Sequence, residues 1–450
     1  MITQAVTKRL NHRLSLLLGL TVLLPGCHSV PSAKTDTPIS PNTLYEWQQQ
    51  AQALITPSDT KRIAARDLVI ARANSVLDSE QSFSITFNQA TPPNDNPQDY
   101  TSTGPYWWPN PDTANGLPWI RRDGIVNREV RGRDTDSAEL REFVKAVSVL
   151  AQAYSYTKND AYAQRAQELF HVFLFDKDTG MNPNFRYAQA IPGITDGRGI
   201  GIIESRLFIN ALNAHQQLTA SDHYNSHVSE PLSRWVTYYL HWLLTSPNGL
   251  DESRTHNNHA SFYDYQVAYF ARFTDNEMVL NQVMQSLYPQ RIQTQIQPGG
   301  AQPHELARTR PYHYSVFNLE AFWGLAAIAT DLNLPELAFG PTDDTQVPLI
   351  VQALDYLNQQ QHTLLTQSHY ASDSVSRESL IRVNLIAGQL YDQRFSAYAQ
   401  TLMAQHAEYD CLLAFPVPAS NATNTRSPTH SSTEKHIDAH TQGDDGLCQL

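Results

Sequence analysis

Apolar residues recur at helical spacing through most of this chain, and that periodicity restricts its architecture more than any other feature. It is carried by "TKRIAARDLVIARANSVLD", "DSAELREFVKAVSVLAQAYSYT", "DAYAQRAQELFHVFLF", "GIIESRLFINALNAHQQL", "PLSRWVTYYLHWLLTS" and "YSVFNLEAFWGLAAIATDL". Two-residue alternation is scarce, with "SFSITF" (82–87) the best candidate strand. No short repeat of fixed length recurs, so helical hairpins must bury their apolar stripes against one another in a curved or closed array. The pattern predicts an all-α fold: a single α/α toroid, or an incomplete barrel of helical hairpins with long substrate-binding loops.

The two ends read differently. Residues 1–26 carry Lys8, Arg9 and Arg13 ahead of the apolar run "LSLLLGLTVLL", the pattern of a secretory signal too short to span and stay in a membrane. Leu24 three residues before Cys27, and Gly26 directly before it, resemble a bacterial lipoprotein processing site. Cys27 is then the expected lipidated N-terminus, which anchors the protein to a bacterial membrane in the periplasm or at the cell surface. Residues 27–42 read as a Pro/Ser/Thr-rich tether, 43–415 as the folded body and 416–450 as a polar tail with too little apolar surface to offset its ordering entropy. Cys411 and Cys448 could pair and pin that tail back. A monomer is expected.

The formal charge of −12 argues against nucleic acid as a partner, because phosphates demand a basic face. An acidic polymer remains compatible if a groove supplies its own arginines and polar donors. Two loops look suited to that. "TSTGPYWWPNPDTANGLPWIRRDGIVNREV" (101–130) sets Trp107, Trp108 and Trp119 among prolines and arginines, either as platforms for sugar rings or as caps on the core. "THNNHASFYDYQ" (255–266) opens a helix with more amides and imidazoles than capping requires.

Six blocks in order, "YWWPNP", "LPWIRRDGIVN", "MNPNFRYAQAIPG", "GRGIGIIE", "NNHASFYD" and "GGAQPHELARTRPYHYSVFNLEAF", resemble the alginate lyase family of polysaccharide lyases over about residues 100–335. The resemblance implies β-elimination on a uronic-acid polymer, alginate and first of all polymannuronate, with a glucuronan as the alternative. The partner is then an acidic polysaccharide, and no cofactor or metal is implied.

Elimination takes a proton from C5, next to a carboxylate, so the developing dianion needs neutralising donors. Asn258 is the leading donor and Arg308 adds a charge-assisted bond, while Asn257 serves as the N-cap. Tyr314 is the candidate acid at the leaving O4 and a candidate base, its proton expected to be loosened by Arg308. His259 is the candidate base for the epimer whose C5 hydrogen lies on the other face. Pro311 suits a first helical turn, which puts Tyr314 about one turn inside and leaves Arg308 free outside. Tyr312 is the alternative acid and a substrate contact. The resemblance further suggests that Tyr187, Gln189 and Arg198 line the groove, with Trp107 and Trp108 stacking on a neighbouring sugar. Glu204 and Arg206 read as a structural ion pair.

Two rival readings are a metal site built on His256, His259, His304 and His313, which lacks an HExxH pattern, and a glycan-binding lipoprotein without chemistry.

Overall fold

The computed structural model describes residues 59–341, 346–367 and 374–405. The signal, Cys27, the tether, and the tail with Cys411 and Cys448 lie outside them.

The apolar stripes become α1 (Thr60–Leu77), α2 (Asp136–Thr157), α3 (Asp160–Phe170), α4 (Phe208–Leu218), α5 (Asp222–Thr245), α6 (Pro247–Glu252) and α7 (Asn258–Phe273). They continue as α8 (Glu277–Ser286), α9 (Pro303–Leu306), α10 (Pro311–Asp331), α11 (Leu349–Gln367), α12 (Ser374–Leu390) and α13 (Gln393–Gln405). Neighbours pack in a running series: α1 on α2, α2 on α3 and α4, α3 on α5, α5 on α7, α7 on α8 and α10, α10 on α11 and α12, and α12 on α13.

Several local expectations change. "SFSITF" is not a strand: Ile85–Phe87 forms a 3-10 turn capped by the Ser84 hydroxyl, because Phe83 and Ile85 both turn into the core. The segment before α4 starts as a 3-10 helix, Gly199–Leu207. α5 begins well before Pro231, which the helix carries in its interior despite the lost N–H donor.

Short strands lie in the loops. β1 (Thr101–Thr103) pairs in parallel with β4 (Tyr187–Ala190), and β2 (Trp107–Trp108) pairs antiparallel with β3 (Ile120–Arg121). The first pairing is anchored on α2, where buried Asp136 accepts from the Thr101 backbone N–H at 2.7 Å.

α10 is apolar around its whole circumference, "AFWGLAAIA", which requires burial on every side. Phe322 and Trp323 are fully buried. It meets α7 at Gly324, where a Cβ would come within 2.4 Å of the Tyr265 ring. The Phe262 and Phe317 rings meet at a tilt of 33° with centroids 4.2 Å apart, and Arg272 pairs with Asp331. These contacts rise together along both sequences, so α7 and α10 run parallel and their N-termini lie at the same end.

Gly324→Ala is expected to cost about 1–3 kcal/mol by overpacking this contact. Chemical denaturation measures it; an unchanged midpoint would mean that the Tyr265 ring swings aside freely.

Candidate active site

The N-termini of α7 and α10 open on one cavity of about 1270 Å³. A buried polar network holds them together beneath it. Ser261 on α7 donates to Gln295 Oε1 at 3.1 Å, and Asn318 on α10 donates to the same oxygen at 3.1 Å and to Gln302 Oε1 at 2.8 Å. Each helix also presents the positive end of its dipole to the cavity, a setting that favours anions.

At α7, Asn257 is the N-cap, its side-chain oxygen accepting from the His259 N–H at 3.2 Å. Asn258, 1% exposed, does not simply face outward. Its backbone N–H and its Nδ2 both donate to the Glu305 carboxylate, each at 2.7 Å, which leaves one amide hydrogen for a ligand. Burial pushes the Glu305 carboxyl above its usual range, against those two bonds.

His259 Nδ1 lies 2.8 Å from Glu252 Oε1. Glu252 is fully buried, and burial raises its pKa even though His259 opposes the shift. An anchored Nδ1–H leaves Nε2 as the lone-pair nitrogen, and Nε2 has no protein partner among the described residues. His259 is thereby committed to a carboxylate. No cluster of three or more His, Cys, Asp or Glu side chains suited to a metal occurs among the described residues.

At α10, Pro311 occupies the first turn and Arg310 the N-cap. Tyr314 is buried, with its hydroxyl 2.7 Å from that of Tyr106 in the 101–130 loop. Arg308 is not free: its Nη2 lies 3.2 Å from Asp123 Oδ1 and its guanidinium lies 3.8 Å from the centre of the Tyr314 ring. Against a burial penalty, Arg308 and Arg121 hold the Asp123 carboxyl below the usual range. The expected loosening of the Tyr314 proton is reversed. Burial, then Tyr106, raise its pKa far above the usual phenol value, and the Arg308 charge only partly opposes them.

Gln189, Arg198 and Trp107 also line the cavity. Gln189 takes a left-handed backbone (φ 49), and its carbonyl accepts from Arg198 Nε at 2.7 Å. Gly104 makes room for this corner, since a Cβ there would lie 2.6 Å from Trp107 and 2.7 Å from Arg198.

Three expected contacts are not in the cavity lining. Tyr312 is 1% exposed in the hydrophobic core, because it falls on the inward face of α10. Tyr187 sits in β4 against Thr101. Trp108 lies on the outside of the β2–β3 pair, its indole N–H donating to the Ile125 carbonyl at 3.1 Å and Arg122 lying over its ring. The Glu204–Arg206 pair does not form either. Glu204 is taken by Arg131, Tyr100 and Ser102, which hold its pKa below the usual range against burial.

Tyr106, Asp123, Glu252 and Glu305 were missed by residue-level reasoning. Tyr106, Asp123 and Glu305 lie inside the motif blocks, but their partners are 47 to 208 residues away and nothing local marks them; Glu252 is only seven residues from His259 but lies outside the blocks.

The family model described as alginate lyase matches residues 84–362. The match spans over half of the chain, which therefore belongs to the alginate lyase family and is a polysaccharide lyase. Among solved structures the chain is similar to an alginate lyase from Bacteroides ovatus, at 28% identity and a TM-score of 0.75, over 83% of this chain and 99% of that one. A weaker likeness joins it to alginate lyase A1-III from Sphingomonas species A1, at 15% identity and a TM-score of 0.46, over 78% and 89% of the two chains. No curated protein sequence matches. The fold is the expected α/α toroid.

Glu305→Ala would strand two buried donors of Asn258, each costing on the order of 1–3 kcal/mol. A loss of about 2–5 kcal/mol in denaturant unfolding is expected, and a smaller one for Glu305→Gln, which keeps an acceptor.

Proposed function

We propose that the chain depolymerises alginate by β-elimination and leaves 4,5-unsaturated uronate ends. The reading rests on one observation: Asn258, His259, Arg308 and Tyr314, drawn from two helix N-termini and the segment between them, line a single cavity. The similarity to an alginate lyase from Bacteroides ovatus supports the same substrate class.

The uronate carboxylate would sit at the helix ends, accepting from the spare Asn258 amide hydrogen and from Arg308. Negative charge that grows there as C5 loses its proton is then stabilised more than in the ground state, and this difference accelerates the reaction. His259 Nε2 is the base, with Glu252 behind it to stabilise the imidazolium as it forms. The electron pair from the C5–H bond forms the C4–C5 double bond as the C4–O4 bond breaks. Tyr314 donates its proton to O4, a role that suits a phenol held firmly protonated.

Mannuronate and guluronate are C5 epimers, so the hydrogen lies on opposite faces of the ring. The His259–Tyr314 division serves the epimer whose hydrogen and leaving oxygen are on opposite sides, the guluronate case. For mannuronate, the phenol would take the C5 proton and pass it to O4, and must first be ionised. The raised Tyr314 pKa opposes that ionisation. Polymannuronate turnover is therefore expected to climb with pH well into the alkaline range, up to about tenfold per unit where phenolate is scarce. Guluronate turnover does not require the phenolate and should not share that climb. Parallel pH profiles for the two block types would contradict this division.

Incubation with alginate, polymannuronate, polyguluronate or glucuronan, followed by absorbance of the conjugated product in the near ultraviolet, tests the reaction itself. Binding without that rise favours a glycan-binding role. Tyr314→Phe is expected to abolish turnover while largely keeping affinity. His259→Ala should harm guluronate cleavage at least as much as mannuronate cleavage, with losses on the order of 10²–10⁴. Wild-type-like turnover by Tyr314→Phe would refute its assignment.

Lipid anchorage through Cys27 and a periplasmic or surface location stay part of the proposal. Membrane fractionation of the wild type against Cys27→Ala tests them.

A further inference from the structure

The charges that line the cavity are unevenly matched. Arg131 is paired with Glu204, Arg121 and Arg308 share Asp123, and Lys145 is paired with Glu142. Arg133, Arg141, Arg198 and Arg206 line the same cavity and have no carboxylate within ion-pair distance among the described residues.

Of these, Arg206 is held in a defined pose. Its guanidinium carbon lies 5.0 Å from the centre of the Phe317 ring and 5.8 Å from that of Phe262. One nitrogen, Nη1, donates to the Ile203 carbonyl at 3.0 Å; Nε and Nη2 have no protein acceptor among the described residues. Ring contacts attract the cation but do not neutralise it. Burial pulls its pKa below the usual arginine value. Glu320 and Glu204 oppose that shift, while the Arg131 and Arg141 charges add to it. Arg206 and Arg141, within electrostatic reach of each other and neither bonded to a carboxylate among the described residues, form a site that an anion would relieve.

Its place on the helices gives that anion an identity. Phe262 is three residues past His259 on α7, and Phe317 three past Tyr314 on α10, which puts Arg206 about 4.5 Å, nearly one turn, beyond the proposed acid and base. A uronate polymer carries one carboxylate on every ring, so the ring next to the one being cleaved brings its own charge into the cavity. Phe317, which lines the cavity, offers apolar surface to the C–H face of a pyranose, and the planar fork of Arg206 matches a carboxylate better than an ammonium would.

We infer that Arg206, with Arg141, forms a second carboxylate-binding site that takes the uronate adjacent to the cleaved one. The inference rests on the lyase reading above. Arg206 binds substrate; it touches no reacting atom.

Arg206→Met keeps an unbranched stem between the two rings and removes the charge. For alginate oligomers of four or more residues, its KM should rise about tenfold, the usual scale of one lost charge-assisted hydrogen bond. The loss should fall on KM far more than on kcat, and KM should depend less steeply on salt than in the wild type. Arg206→Lys should recover part of the loss, and Arg141→Met should raise KM about threefold. A folded Arg206→Met protein, checked by circular dichroism, with wild-type KM and salt dependence would overturn the site. Should that variant not fold, Arg141→Met decides: a raised KM supports the site and an unchanged one overturns it. Calorimetric binding of a four-residue uronate oligomer separates this idea from the lyase reading. A wild-type protein that binds but yields no unsaturated product removes the lyase reading, and the ratio of affinities between wild type and variant still judges Arg206.

Discussion

The parallel contact between α7 and α10 is the constraint on which the site depends. Gly324 lets the Tyr265 ring lie directly on α10, and the Phe262–Phe317 and Arg272–Asp331 contacts set the direction of the pair. Antiparallel packing would have sent one N-terminus to the far side of the domain. Parallel packing instead gathers two positive helix ends, the Asn258–His259 pair and Tyr314 around one cavity. An enzyme that must hold a carboxylate while it becomes a dianion gains from that field before any side chain acts.

Behind that front lies a layer of buried acids. Glu305 holds Asn258 by two bonds and Glu252 holds His259 by one, while Asp123 holds Arg308. The groups that would face substrate are therefore preorganised, and their conformational freedom is already spent before binding. The arrangement also separates protonation roles. Burial keeps the proton on Tyr314, and the Glu252 carboxylate favours the tautomer in which His259 presents a lone pair. A phenol that keeps its proton and an imidazole that presents a lone pair set an acid and a base side by side.

Much of the fold was legible because helical periodicity is a local property. "DSAELREFVKAVSVLAQAYSYT" and the run from Pro311 became helices almost as spaced, and Asn257 caps its helix as a short polar residue before an apolar stripe should. "SFSITF" misled because its apolar residues alternate over too short a run to distinguish a strand from an inward-turned loop. Tyr312 and Tyr314 show the limit within one helix. They are two residues apart and chemically alike, yet one is core and the other faces the cavity, since the helix turns 200° between them. Glu204 and Arg206 misled for the same reason: closeness in sequence suggested a pair, while a partner at Arg131 was available in space.

The sequence by itself determined an all-α body, its helix starts, and the set of residue types able to perform an elimination, because propensity, periodicity and motif order are written along the chain. Only the tertiary structure decided which carboxylate stands behind which catalytic candidate, that burial raises the Tyr314 pKa instead of Arg308 lowering it, and that Arg206 has no carboxylate within ion-pair distance among the described residues. Those outcomes depend on burial and on distances between segments remote in sequence, and electrostatic energies follow distance and desolvation in space.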